Sequence, residues 1–164
     1  MERPFNVLFL CTGNSARSII AEALLNAMGG GRFRGFSAGS HPKGELNPVV
    51  MSLLREKGFD VAGARSKSWD EFAGAGAPPM DYIVTVCDSA AGEACPIWPE
   101  RPVSAHWGVE DPAAHMEDPD RARRVAEEAL RVLKRRIELF MSLPLDKLDR
   151  LALQSRMKDI GRER

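Results

Sequence analysis

Phe5-Asn6-Val7-Leu8-Phe9-Leu10-Cys11-Thr12-Gly13-Asn14-Ser15-Ala16-Arg17-Ser18 reads as a strand, a loop and the start of a helix in direct succession. Phe5 to Leu10 is an apolar, β-prone run with the length of one buried strand, and it delivers Cys11 at its end. Gly13, Asn14 and Ser15 make a tight loop, after which a helix is expected to begin near Ala16 or Arg17. Backbone N–H groups of such a loop converge with the positive end of a helix dipole, so an oxyanion fits there. The same field is expected to lower the pKa of the loop thiol, and the thiolate is the nucleophilic form. Arg17 adds a planar fork suited to a tetrahedral oxyanion. Thr12, Gly13, Asn14, Ser15, Ala16 and Arg17 are therefore the candidate oxyanion-binding residues. A cysteine ending a buried strand is, taken alone, usually an inert core residue. The Gly, Asn, Ser and Arg around Cys11, in a strand-to-helix setting, favour chemistry instead.

The chain has 164 residues, within the range of a single domain with a substantial core, and residues 1–164 are expected to form one. Lys plus Arg and Asp plus Glu number 23 each, so the net charge of zero gives no general attraction for nucleic acid or an anionic membrane surface. No apolar stretch approaches a membrane span, and Phe5 to Leu10 is too short for a signal-peptide core, so a cytoplasmic location is expected. Three cysteines do not make a secreted disulfide framework; in a reducing compartment they are catalytic, redox-active or buried.

Outward from the loop, the first helix runs from about Ala16 to Met28 and is stopped by Gly29-Gly30-Gly31. A second strand is expected over Phe33 to Gly39, then a helix from Val49 to Lys57, opened by Asn47-Pro48 and closed by Gly58. This alternation predicts an α/β fold with a parallel sheet. Ser68 is placed to cap a short helix over Trp69 to Phe72, with Glu71 completing a capping box. Asp81 to Cys87 is a second buried strand, again with a cysteine at its carboxyl end, where open α/β sheets bind ligands. Cys11 and Cys87 thus face one crevice or are two unrelated core thiols.

Seven residues separate Cys87 from Cys95, the wrong spacing for common zinc pairs, and only His106 and His115 lie near; no metal site is expected. The spacing does allow a disulfide across a loop. Val103 to Trp107 reads as a fourth strand. Asp111-Pro112 follows in a turn, with Asp111 held out of helical geometry and able to point back across the crevice, or else acting as a plain turn or cap residue. Asp118-Pro119 opens a helix over Arg121 to Phe140, whose Lys134-Arg135-Arg136 run reads as a solvated face. A last helix is expected from Asp146 or Lys147 to Ile160, with Leu148, Leu151 and Leu153 as apolar contacts and a frayed end at Gly161 to Arg164.

Cys11-Thr12-Gly13-Asn14-Ser15-Ala16-Arg17-Ser18 together with Asp111-Pro112 resembles the low-molecular-weight tyrosine phosphatases. Thr85-Val86-Cys87, Cys95-Pro96 and His106-Trp107-Gly108 make the chain look like the arsenate reductase branch of that family. The resemblance implies a three-layer αβα sandwich around a four-stranded parallel sheet. It also implies Cys11 as nucleophile, Arg17 and the loop amides as oxyanion holders, Asp111 as general acid, Ser18 as a hydrogen-bond donor to the thiolate and Asn14 as a brace. In the reductases a second thiol resolves the arsenate adduct. Carried over, Cys87 attacks Cys11 and Cys95 then attacks Cys87, with a thioredoxin, or glutathione with glutaredoxin, as reductant and no other cofactor. Phosphate and sulfate would compete with arsenate.

Two departures qualify the resemblance. The phosphatases frame a tyrosyl ring with aromatic residues after the Asp-Pro pair, whereas Ala113, Ala114 and His115 follow here, and the chain's one tyrosine is Tyr82. Some thioredoxin-linked reductases bind a potassium ion partly through an acidic residue, and Lys67 falls near that position, so no cation is expected. The alternatives to arsenate reduction are a phosphotyrosine or small-molecule phosphatase using Cys11, Arg17 and Asp111, and a thiol-based redox sensor.

Overall fold

In the computed structural model, which describes residues 3–87 and 101–164, four strands form one parallel sheet in the order β2-β1-β3-β4. They are β1 (Phe5–Cys11), β2 (Phe33–Gly39), β3 (Tyr82–Thr85) and β4 (Val103–His106). The helices are α1 (Arg17–Met28), α2 (Pro48–Glu56), α3 (Asp70–Ala73), α4 (Pro119–Met141) and α5 (Arg150–Ile160). A 3₁₀ turn covers Pro112–His115.

The central strand β1 is apolar without a break because both of its faces are covered. Val7, Phe9 and Cys11 point into the larger core with Ile20, Leu24, Leu53, Leu133, Ile137 and Phe140 of the flanking helices. Leu8 and Leu10 point the other way, into a smaller core with Ala38, Phe72, Met80 and Ile83. The sheet is thus the middle of three layers. Among the described residues no helix is long and apolar enough to cross a membrane.

Local chemistry sets the helix ends. Asn47 Oδ1 accepts from the Val49 and Val50 amides at 3.0 and 3.1 Å, Pro48 fills the first helical position, and Gly58 follows the helix with φ of 84°. Asp118 caps α4 in the same manner through the Arg121 amide. On α4 the buried Ala122, Ala126, Ala129, Leu133, Ile137 and Phe140 recur every three or four residues, which aligns them on one face.

Several expectations need correction. β3 ends at Thr85 rather than Cys87, although the Val86 amide still donates to Leu10 O (2.9 Å) and keeps the chain along β1. Ser68 Oγ accepts from the Asp70 amide, but Glu71 forms no capping box because its carboxylate is held by Arg65. The last helix starts later than expected, since Asp149 is the side chain that caps it, through the Ala152 amide at 2.8 Å. Leu151 is 81% exposed, and Leu153, Met157 and Ile160 make the buried face instead. Arg136 departs furthest: it lies in the buried face of α4, 0% exposed, where a solvated cation was expected. At the tail, the Arg136 guanidinium donates to the Glu163 carbonyl at 3.0 Å.

Candidate active site

β1 and β3 are neighbours with Leu10 opposite Thr85, so the segments leaving their carboxyl ends emerge side by side. One of them is the loop from Cys11 to Arg17. Its carbonyls are turned outward and tied to the surrounding chain. Thr12 O accepts from the His41 amide (2.9 Å), Gly13 O from the Lys43 amide and Ser66 Oγ (both 3.0 Å), and Ser15 O from the Asn47 amide (2.9 Å). In a planar trans peptide the next N–H points opposite to the carbonyl. The amides of Gly13, Asn14 and Ala16 are therefore aimed into the ring of the loop. α1 opens directly beneath, with no side-chain cap on its N-terminus and no acidic residue in its first turn. The cradle for an anion is thus built from backbone, with the helix dipole behind it.

Asn14 holds this ring in shape. It takes the left-handed conformation (φ 45°), is fully buried, accepts from the Lys67 amide (2.9 Å) and donates to Ser18 Oγ (2.8 Å). Ser18, also fully buried, keeps its hydroxyl proton for another acceptor while it accepts from Asn14. Lys67 Nζ lies beneath the loop, bonded to Ser37 Oγ (3.3 Å) and Arg65 O (3.0 Å). Burial pushes its ammonium pKa down and the neighbouring Glu22 carboxyl up, and the attraction between them opposes both shifts.

Arg17 and Asp111 meet across the crevice, with Nη2 to Oδ2 at 3.2 Å. Arg17 Nη1 also donates to Val109 O (3.1 Å), while its buried Nε has no partner among the described residues. Such a donor suits an anion resting in the ring. Asp111 Oδ1 caps the 3₁₀ turn through the Ala113 amide (2.9 Å). The cap role and the role across the crevice therefore coexist, one on each carboxylate oxygen.

Cys11 and Cys87 are both buried and free of disulfides, and they lie at the carboxyl ends of the neighbouring strands β1 and β3. Thr12 Oγ1 stands 3.6 Å from the Cys87 sulfur. The Cys11 pKa runs against the expectation of a lowered thiol. The Cys11 thiol is pushed up, foremost by its hydrogen bond with Cys87 and then by burial, while Arg17 pulls the other way. Cys95 lies outside the described residues.

A residue that strand periodicity did not single out as functional is Gly39. A Cβ there would stand 2.4 Å from Thr12 O and 3.1 Å from the Asn14 backbone nitrogen, so β2 approaches the cradle more closely than any side chain permits. Only the neighbouring strand reveals this. Gly39→Ala is expected to cost about 2 kcal/mol through overpacking and to distort the ring. Thermal melts with and without phosphate check it: the variant should melt lower and gain less from phosphate than wild type. An equal phosphate-induced rise would show the cradle unaltered.

Over residues 6–149 the sequence matches the low molecular weight phosphotyrosine protein phosphatase family. The chain belongs to that family. Within the family, it is 38% identical over 113 residues to an arsenate reductase of Brevibacillus brevis, covering 69% of this chain and 81% of the relative. An arsenate reductase structure from Archaeoglobus fulgidus aligns with a TM-score of 0.61 at 33% identity, covering 80% of this chain and 98% of that one. A thioredoxin-dependent arsenate reductase of Corynebacterium glutamicum aligns with a TM-score of 0.62 at 28% identity, covering 89% of this chain and 65% of that one. These likenesses and the sheet order establish the three-layer sandwich of the family. Tyr82 supplies no ring at the cradle mouth: it is 3% exposed and packs edge-on against Phe140 at 5.0 Å. His115 is paired instead with Glu110 at 2.7 Å.

Proposed function

We propose that this chain is an arsenate reductase that works by thiol chemistry, and one observation carries the reading: a second buried thiol, Cys87, on the segment leaving the strand next to the cradle, 3.6 Å from Thr12 Oγ1. A phosphatase needs Cys11, Arg17 and Asp111 but no neighbouring sulfur. A reductase needs a thiol placed to take over the bond made by Cys11.

Arsenate enters the ring of amides and is held by Arg17. The Cys11 thiolate attacks arsenic, an arsenic–oxygen bond breaks, and Asp111 supplies the proton with which that oxygen leaves as water. The Cys87 thiolate then attacks the Cys11 sulfur. A sulfur–sulfur bond forms, the arsenic–sulfur bond breaks, and its electron pair stays on arsenic, which leaves as arsenite. Cys95 attacks Cys87, frees Cys11 and leaves a Cys87–Cys95 disulfide for an external dithiol to reduce. The Arg17 charge beside Cys11 opposes the causes that push its pKa up, and so favours its departure as the thiolate in that exchange. A thioredoxin-type donor fits the relative named above, and glutathione with glutaredoxin is the alternative.

Arsenate-dependent oxidation of NADPH, coupled separately through thioredoxin with its reductase and through glutathione with glutaredoxin, tests the proposal. Turnover is expected with one system, falling to background in Cys11→Ser. Hydrolysis of aryl phosphates without arsenate turnover in either system would sink the reductase reading.

A further inference from the structure

Arg136 is a guanidinium sealed in the large core, 0% exposed, among Leu133, Ile137 and Phe140 on α4. No carboxylate among the described residues pairs with it. Its Nη1 donates to Gly108 O at 3.1 Å and its Nε to Glu163 O at 3.0 Å, while Nη2 has no partner among the described residues. A cation in such a place is costly, and an apolar side chain of similar length would fill the space without desolvation. What an apolar side chain lacks is a donor for the Gly108 carbonyl.

That carbonyl opens the segment that carries Asp111. The segment is fixed on its near side by the Trp107 amide to Thr85 O (2.7 Å) and the Val109 amide to Val86 O (3.2 Å). On its far side Arg17 grips Val109 O and Asp111. The carbonyls of Gly108 and Val109 therefore each accept from a guanidinium, one rooted in the core and one in the cradle. The C-terminal segment backs this arrangement. Trp107 Nε1 donates to Met157 O (2.9 Å), and α5 ends so close to β4 that a Cβ on Gly161 would stand 2.5 Å from His106 O. α5 and the tail also lie beyond the residues that match the family.

We propose that Arg136 is a positioning residue that, braced by the tail at Glu163, holds the 108–111 segment so that Asp111 faces the cradle. The inference rests on the functional reading above for Asp111 as the acid. Burial and the nearby Arg164 push the Arg136 pKa down to about 10, which leaves it charged at neutral pH.

The test compares wild type, Arg136→Gln, Arg136→Lys, Asp111→Asn, the double variant Arg136→Gln with Asp111→Asn, and a chain lacking residues 161–164. Hydrogen exchange by mass spectrometry is followed over 103–111, with kcat and KM for arsenate alongside. Arg136→Gln should speed exchange over 108–111 and lower kcat about tenfold, with KM within about twofold, as expected of a misaimed acid over an intact cradle. In the Asp111→Asn background the same change should lower kcat by less than about twofold, because both changes act through one carboxylate. Arg136→Lys should recover part of the loss, and removal of the tail, which leaves the core whole, should loosen the same peptide. Unchanged exchange in both Arg136→Gln and the shortened chain, or an equal kcat loss with and without Asp111, overturns the proposal. A wild-type chain that reduces no arsenate overturns the functional reading instead, and exchange alone then decides whether Arg136 holds the loop.

Discussion

Cys87→Ala should leave the cradle able to take up an oxyanion while stopping turnover, and it should make Cys11 more reactive, not less. The hydrogen bond that the Cys11 thiol gives to Cys87 is the foremost cause holding its pKa up, and the Cys87 charge acts in the same direction. Removing that side chain leaves burial and the Asp111 charge pushing up against Arg17 pulling down. The pKa of Cys11 therefore falls, and a larger fraction is thiolate at neutral pH. Alkylation of Cys11 by iodoacetamide, resolved by peptide mapping so that Cys95 is counted separately, should rise at lower pH than in wild type. Arsenate reduction should fall a hundredfold or more, on the order expected when an external thiol must replace an oriented intramolecular neighbour. Phosphate should still protect Cys11 from alkylation in the variant. An alkylation profile that stays put or moves to higher pH would show that the sulfurs share no proton. Wild-type turnover would remove Cys87 from the mechanism.

The sign of that thiol shift also marks where a linear reading of the chain stops. Strand–loop–helix chemistry around Cys11 is local, so its place at a strand end, the tight loop after it and the start of α1 were legible from adjacent residues. The Asn47-Pro48 and Asp118-Pro119 openings were legible for the same reason, since a cap and its amides lie within three residues of one another. The field at Cys11 is not local. Its largest contribution comes from a residue 76 positions away, brought alongside by parallel pairing of β1 and β3. A helix dipole can be inferred from a sequence, whereas a shared proton needs a neighbour.

Arg136 and Gly39 show two other reasons for silence. In α4 the buried positions 129, 133, 137 and 140 do carry the signal for Arg136, which stands three residues after Leu133 and four before Phe140 on the same face. The basic run Lys134-Arg135-Arg136 masked it, because charged residues in succession usually wrap a helix surface. Periodicity outweighed composition at that position, and what made burial tolerable was a pair of backbone carbonyls from elsewhere in the chain. Gly39 is required by a distance across the sheet, for which no local pattern exists. Leu151 failed the opposite way, since an apolar residue in a surface helix need not touch the core.

Arg17 is the residue whose loss should be felt at every step. It meets the Asp111 carboxylate, donates to Val109 O, lowers the Cys11 pKa by its charge and keeps a buried Nε with no acceptor among the described residues. Arg17→Lys keeps the charge but loses the fork. An ammonium is a point donor and cannot satisfy Val109 O, Asp111 and an anion in one plane. Arg17→Gln removes the charge as well, so the Cys11 thiol moves further up and alkylates more slowly at neutral pH than in wild type. Both variants should lose roughly 100- to 1000-fold in kcat for arsenate, the range seen when a preorganised donor to developing charge is removed. They should differ in the first step: Lys should retain Cys11 alkylation near the wild-type profile, whereas Gln should not. Stopped-flow or quenched single-turnover measurements with arsenate, set beside alkylation profiles, separate the two contributions. If Lys turns over within about threefold of wild type, charge alone suffices, and the fork geometry that links the cradle to the acid-bearing segment is dispensable.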